Sequence, residues 1–289
     1  MMLLARDHRR FLIVDQGVGP TVVNFLLNAG IAWLMFRSGI SLRVGTGYRY
    51  YSFLFNRRVF EHRKNAQRHE VEYNLNLLKE LGCDIQKPPE FFIDIPAEAE
   101  RKVQELLLSL SIDRSKPIAI VHPGSGGSAR VWGAENFGKL GAKLANNSSV
   151  QVLVTGSSSE KLQVDTVVQS SENVVVSVAG KLSMKELAAL IRMAQLFVAN
   201  STGPIHVAAA VGTPVVGLYP QHIPMSARRW GPYSDKSIVF TPKKPVYCAD
   251  CSGGKDEQCA CMQSITVSEV YAAASSLLEK NKRVARQNV

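Results

Sequence analysis

The stretch NSTGPIH, residues 200–206, joins an apolar run, LFVA, to the small-residue run VAAAVG at 207–212. Ser201 and Thr202 are residue types that cap helices through a side-chain oxygen. Pro204 suits a first helical turn, where no N–H is needed. Gly203 has no side chain to keep a ligand off the backbone. Exposed amides at such a helix start can hold a diphosphate. Ala208, Ala209 and Ala210 would let the helix lie close to a sheet. The plainer alternative is an ordinary capped helix, with His206 packed one turn in and bonded to backbone.

A second polar turn, HPGSGGSARVW, runs from His122 to Trp132. Gly124, Gly126 and Gly127 permit close backbone approach, Ser125 and Ser128 supply hydroxyls, and Arg130 supplies a forked cation suited to phosphate. The spacing matches neither the P-loop nor the dinucleotide fingerprint, and a plain flexible loop is the competing reading. A third segment, Tyr219 to Tyr233, carries Arg228 and Arg229 for negative charge, with Tyr219 and Trp230 placed to pack or to stack. Its prolines predict an extended path.

These turns need elements to position them. IAIVH, VQVLVTG, NVVVSV, LFVA and PVVGLY read as strands, separated by the helical stretches AENFGKLGAKLANN, EKLQVDTVVQSS and PIHVAAAVG. A further helix opens at Ser183, with Glu186 completing a capping box and a stripe of Met184, Leu187, Ala188 and Ile191. Apolar strands without alternation predict a parallel sheet covered on both faces. Such a sheet binds ligands beyond its carboxyl edge, near a switch in strand order. Upstream, FLIV at 11–14 and SLRVG at 41–45 predict strands, Val22 to Phe36 a helix, and residues 68–81 another. FFIDI looks extended, and Pro96 opens a helix striped by Val103, Leu106, Leu107 and Leu110. The boundary between domains is placed after that helix, giving 1–110 and 111–289.

The chain has 289 residues, 46% of them hydrophobic, enough for one large domain or two with real cores. No run of eighteen apolar residues predicts a spanning helix, and charge comes too early in MMLLARDHRR for a secretory signal. The expected location is cytoplasmic. The formal net charge is +10, which suits nucleic acid, acidic lipid or phosphorylated ligands. Much of it lies in residues 49–69, where arginines and aromatics interleave, either as an anionic-surface contact or as a solvated loop. No helix-turn-helix, zinc-finger or RNA-binding signature accompanies it. Cys83 stands alone. Cys248, Cys251, Cys259 and Cys261 cluster either as a soft-metal site or as a flexible thiol-bearing loop; no metal site is assigned.

Together the quoted turns carry a resemblance. NSTGPIHVAAAVGTPVVGLY, RRWGP and CMQSITVSEV look like glycosyltransferase family 9, the ADP-heptose:lipopolysaccharide heptosyltransferases and their relatives. HPGSGGSARVWGAENFGKL is similar to the family's nucleotide-sugar loop, and RSGISLRVGTG and HEVEYNLNLLKELG resemble its amino-terminal segments. The likeness runs from about Ile31 to Leu278. It implies an α/β, GT-B-like fold with two Rossmann-like domains facing across a cleft, the carboxyl-terminal one holding the nucleotide sugar. It implies inversion at the anomeric carbon, no cofactor and no essential metal. The donor would be ADP-heptose. The acceptor would be an anionic lipid-linked saccharide, Kdo-lipid A or a later heptose. Apart from the resemblance, the basic segment at 49–69 leads to an expected peripheral contact at the inner membrane, and the missing nucleic-acid signatures to no nucleic-acid partner. Carried residue by residue, Ser201, Thr202, Gly203, Pro204 and His206 line the diphosphate site, and Ser125, Gly126 and Arg130 face them. The family commonly has lysine where Arg130 stands.

The start departs from that pattern. Family members open with a strand and a loop containing GD, whose aspartate is proposed as general base; about sixty residues of that region have no counterpart. VDQGVGP, with Asp15, is no substitute, so the amino-terminal domain is expected to be incomplete and no catalytic residue is assigned. The leading reading is an inverting heptosyltransferase. The alternative is a nucleotide-sugar-binding protein lacking catalysis, and a nucleic-acid-binding protein ranks last.

Overall fold

The computed structural model describes residues 11–15, 20–24, 28–83, 91–127, 129–148, 150–243 and 261–287. The chain divides into two compact units, Met1–Pro89 and Glu90–Val289.

In the first unit, strands β1 (Phe11–Asp15), β2 (Pro20–Asn24), β3 (Leu42–Thr46) and β4 (Arg57–Val59) form one sheet in sequential order. β1 pairs antiparallel with β2; the other pairs are parallel. The helix expected from Val22 begins only at α1 (Ala29–Arg37). Thr21, Val22 and Val23 are β-branched and join a strand. Asn28 then caps α1, accepting the Gly30 N–H at 2.8 Å. Helix α2 (Glu70–Lys79) starts at a capping box in which His69 stands where Ser or Thr is usual: its Nδ1 accepts the Val71 N–H, and Glu72 accepts the His69 N–H.

Part of the basic segment is internal. Arg63 donates to Glu70 at 2.6 Å and to Asn74 at 3.0 Å, with only 11% and 13% of the Arg63 and Glu70 side chains exposed. Tyr51 is buried as well.

The second unit contains α3 (Ala97–Ser109), β5 (Ile118–His122), α4 (Ala134–Ser148), β6 (Gln151–Val154), α5 (Lys161–Ser170), β7 (Val176–Ser177), α6 (Met184–Met193), β8 (Leu196–Asn200), α7 (Gly203–Ala210), β9 (Val215–Leu218), α8 (Ala227–Trp230), β10 (Ser237–Phe240) and α9 (Val267–Gln287). α3 buries Val103 and Leu107 with Ile120, Ala188 and Phe197, so it packs with the second unit rather than closing the first at residue 110. The strand order is β10-β9-β8-β5-β6-β7, every pair parallel. The chain winds outward from β5 to β7, returns to β8, and winds the other way to β10. The switch in direction therefore lies between β5 and β8.

Each face of this sheet has its own core. Val121, Val154, Val198 and Val216 pack with Trp132, Phe137, Leu140, Met262 and Val270 on one side. Ile120, Leu153, Phe197 and Val215 pack with Leu107, Leu190 and Ile205 on the other. Burial on both faces is why the strands show no polar alternation. Each such large side chain contributes about 1.5–3 kcal/mol relative to exposure.

Local details differ from the sequence reading. Ser183 and Glu186 form the expected capping box, but Met184 is 61% exposed. It occupies the first helical position, ahead of the buried arc Ala188–Ile191. FFIDI pairs with no strand, although Ile93 and Ile95 reach the core. β10 was not anticipated, because SIVF is short and follows a polar turn. Residues 219–233 are not extended; they hold a 3-10 turn, Ile223–Met225, and then α8. Cys261 is buried beside Met262; Cys248, Cys251 and Cys259 lie outside the described residues, as does Ser128.

Candidate functional site

The two polar turns follow adjacent strands. The loop after β5 carries Ser125, Gly126 and Arg130; the turn after β8 carries Ser201, Thr202, Gly203, Pro204 and His206. Both sit at the carboxyl edge of the sheet, flanking the switch point.

Asn200, fully buried at the end of β8, links them. Its side-chain oxygen accepts the Trp132 N–H at 3.0 Å, and its amide donates to the Pro123 carbonyl at 2.6 Å. Both ends of the loop are thereby tied to β8. Trp132 is an anchor rather than a ligand contact. Its indole N–H donates to the Ile265 carbonyl at 2.7 Å, its ring meets Phe137 edge-on, and its own carbonyl accepts from Asn136 and Gln263. Within the loop, the Ser125 hydroxyl donates to the Ala129 carbonyl at 3.0 Å and is buried. That proton is spent on shaping the loop, not offered to a ligand. Gly126 and Gly127 have φ of +53° and +72°, the left-handed region that side chains disfavour. Nothing would meet a Cβ at Gly126. Arg130 is half-buried between Ala129 and Val131.

The second turn is open. Thr202 is the N-cap of α7, yet its side chain makes no capping bond, contrary to expectation. Its φ of −151° and ψ of 162° are extended, while the Ile205 N–H turns back to the Thr202 carbonyl at 3.2 Å. Pro204 has no N–H. Among the described residues, the Thr202 hydroxyl and the Gly203 N–H have no hydrogen-bond partner. Gly203 is exposed, with open space where a Cβ would stand. A donor hydroxyl and a donor amide at a helix start form an anion-binding arrangement. His206 is half-buried one turn in, while Ile205 and Ala208 enter the core.

Ser201 is engaged elsewhere. Its hydroxyl hydrogen-bonds the Tyr219 phenol, whose own O–H donates to the Trp230 carbonyl at 2.8 Å. Tyr219 is buried, which pushes its pKa up, and the Ser201 bond opposes that shift. Tyr219 therefore packs rather than stacks on a ligand. Trp230 is half-buried and donates to the Pro224 carbonyl at 2.9 Å, with the Arg229 guanidinium over its ring.

A third group at this edge escaped the sequence reading. Glu160 accepts the Ser157 N–H at 2.7 Å and the Ser157 hydroxyl at 2.8 Å. A Cβ at Gly124 would collide with the Glu160 carboxylate, so that glycine admits the glutamate beside the loop. His122 is buried against Thr155, Nδ1 to Oγ1 2.9 Å. Burial pushes its pKa below 6.5, with the Glu160 charge opposing. The spacing Ser157-x-x-Glu160 is a capping-box signal that was readable; its approach to Gly124 was not.

The family model for glycosyltransferase family 9 (heptosyltransferase) matches residues 28–258. The chain belongs to glycosyltransferase family 9. It is 26% identical over 224 residues to lipopolysaccharide heptosyltransferase 3 of Escherichia coli, covering 76% of this chain and 64% of that protein. The aligned parts span 66%, 37% and 64% of the first three curated relatives' own lengths. Among solved structures, the family 9 glycosyl transferase of Veillonella parvula superposes with a TM-score of 0.74 at 23% identity, covering 89% of this chain and 73% of that one. The E. coli ADP-heptose lps heptosyltransferase II gives 0.68 at 19% identity, covering 90% and 76%. The family 9 member thus has the expected α/β, GT-B-like fold of two Rossmann-like sheets. Among the described residues no helix is long and apolar enough to cross a membrane.

Proposed function

We propose that the chain is an inverting glycosyltransferase that moves heptose from ADP-heptose to the lipopolysaccharide inner core, either Kdo-lipid A or a later heptose. Family membership supports the reaction class. The observation that carries the donor assignment is the opening at Thr202 and Gly203: an uncapped helix start at the switch point, with a hydroxyl and an amide that have no hydrogen-bond partner among the described residues. A diphosphate completes that turn. In this reading the Gly203 N–H and Thr202 hydroxyl donate to phosphate oxygens, and Arg130 approaches from the loop that Asn200 holds. Ser125 and Ser201 shape the two turns. These donors stabilise the charge that builds on the departing nucleotide diphosphate as the sugar bond breaks. The acceptor is lipid-linked, which sets the reaction at the cytoplasmic side of the inner membrane.

The test is transfer from ADP-heptose to Kdo-lipid A, and to a heptosylated core, followed by mass spectrometry of the lipid product. A mass gain of one heptose supports the reading. Tight ADP-heptose binding without any product would instead identify a nucleotide-sugar-binding protein. Absence of nucleotide binding would overturn both.

A further inference from the structure

Residues 28–60 contain five arginines, Arg37, Arg43, Arg49, Arg57 and Arg58, and no aspartate or glutamate. The same segment leaves large apolar side chains in water. On α1, Ala32 and Met35 are buried against Tyr51, Leu54 and Phe55. The rest of that helix is not polar: Trp33 is 53% exposed, Leu34 65% and Phe36 46%. A helix side facing water ordinarily carries charged residues. The 3-10 turn Ser52–Leu54 packs against the same cluster and adds Phe53 at 68% exposed, preceded by Tyr50 at 84%. Arg37, Arg49, Arg57 and Arg58 are exposed, and none is ion-paired among the described residues.

We propose that residues 28–60 dock the first unit on an anionic lipid bilayer. Trp33, Leu34, Phe36, Tyr50 and Phe53 enter the headgroup region, and the arginines meet lipid phosphates. Aromatic and leucine side chains beside arginines are the composition of interfacial segments. α1 has nine residues, about 14 Å of helix against a hydrocarbon core of about 30 Å, so it lies on the bilayer rather than across it. A second copy of this chain fits less well: a two-fold contact would set an arginine-rich segment without carboxylates against itself. The surface is not the one suggested by residues 49–69 alone, because Arg63 and Tyr51 are internal and the apolar part lies mainly on α1. Docking deepens the reading of a lipid-linked acceptor and rests on it for its purpose, but its test needs neither donor nor acceptor.

The full chain would be sedimented with vesicles of phosphatidylcholine alone and with vesicles containing about one third phosphatidylglycerol. Binding is expected only to the anionic vesicles, falling as salt shortens the Debye length from roughly 30 Å at 0.01 M to 8 Å at 0.15 M. Leu34→Ser with Phe53→Ser should weaken it at least tenfold. Arg57→Gln with Arg58→Gln should lower its salt dependence markedly, with Arg37 and Arg49 supplying what remains. Trp33 fluorescence should shift to the blue on anionic vesicles and the shift should vanish in Trp33→Phe, a readout that stands even if the serine variant folds poorly. No binding to anionic vesicles, equal binding to neutral ones, or an unchanged affinity in both folded double variants would overturn the proposal. So would a dimer in gel filtration that the serine variant dissolves without any vesicle binding. ADP titration on the same samples separates the two readings: intact nucleotide binding with no docking defeats only this one.

Discussion

Asn200 accepts the backbone N–H of Trp132 at 3.0 Å across 68 residues of sequence. The same side chain donates to Pro123. A single buried amide thus fixes the spacing between the two turns of the candidate donor site.

Asn200→Ala should leave a buried N–H and a buried carbonyl without partners. Each such loss costs about 1–3 kcal/mol, so urea unfolding should show a total of about 2–6 kcal/mol. ADP affinity should fall as well, because the Arg130 loop loses its tether. An unchanged unfolding midpoint would remove the bridge from the account.

Arg130→Ala should cost about 1.5–3 kcal/mol of ADP binding if it makes one charge-assisted hydrogen bond, about tenfold or more in affinity. Gly203→Val should reduce ADP binding while leaving the melting curve nearly unchanged, since the space a Cβ would occupy there is open. Titration calorimetry with ADP, ADP-heptose and adenosine reads both. Adenosine binding as tightly as ADP would count against a diphosphate site.

Gly124→Ala should displace the Glu160 carboxylate from Ser157 and cost about 1 kcal/mol, the usual worth of a cap. In a Glu160→Ala background the same change should cost almost nothing. Equal costs in the two backgrounds would mean the two residues are not coupled.

His122 should make stability depend on pH. Its folded pKa lies below 6.5 because burial disfavours the cation. Between that pKa and about 6.5 the unfolded chain binds the proton and the folded chain does not. Stability is therefore full above about pH 6.5 and is lost as pH falls, by at most about 1.4 kcal/mol per pH unit from this group. Denaturant unfolding of wild type and His122→Asn at pH 8 and pH 5.5 should show a smaller loss in the variant. Parallel losses would place the His122 pKa at its ordinary value.

The sequence alone was enough for the features that act through near neighbours. The apolar runs at 118–122 and 196–200, the capping box at Ser183 and Glu186, and the helix stripe at Val103 and Leu107 each depend on residues a few positions apart. The parallel, doubly wound character of the sheet from β5 to β9 followed from the repeated strand and helix pattern, and the turns after 122 and 200 were marked by Gly, Pro, Ser and Thr. Tertiary structure decided what depends on distant partners. It placed β5 beside β8, joined the turns through Asn200, took the Ser201 hydroxyl for Tyr219 and the Ser125 proton for Ala129, and left the Thr202 side chain without a capping bond to α7. It also brought Glu160 under Gly124, paired Arg63 with Glu70 and left Trp33 and Leu34 in water. A hydrogen bond or a burial across 68 residues leaves no periodicity behind, because either partner alone is compatible with many neighbours and only packing selects one.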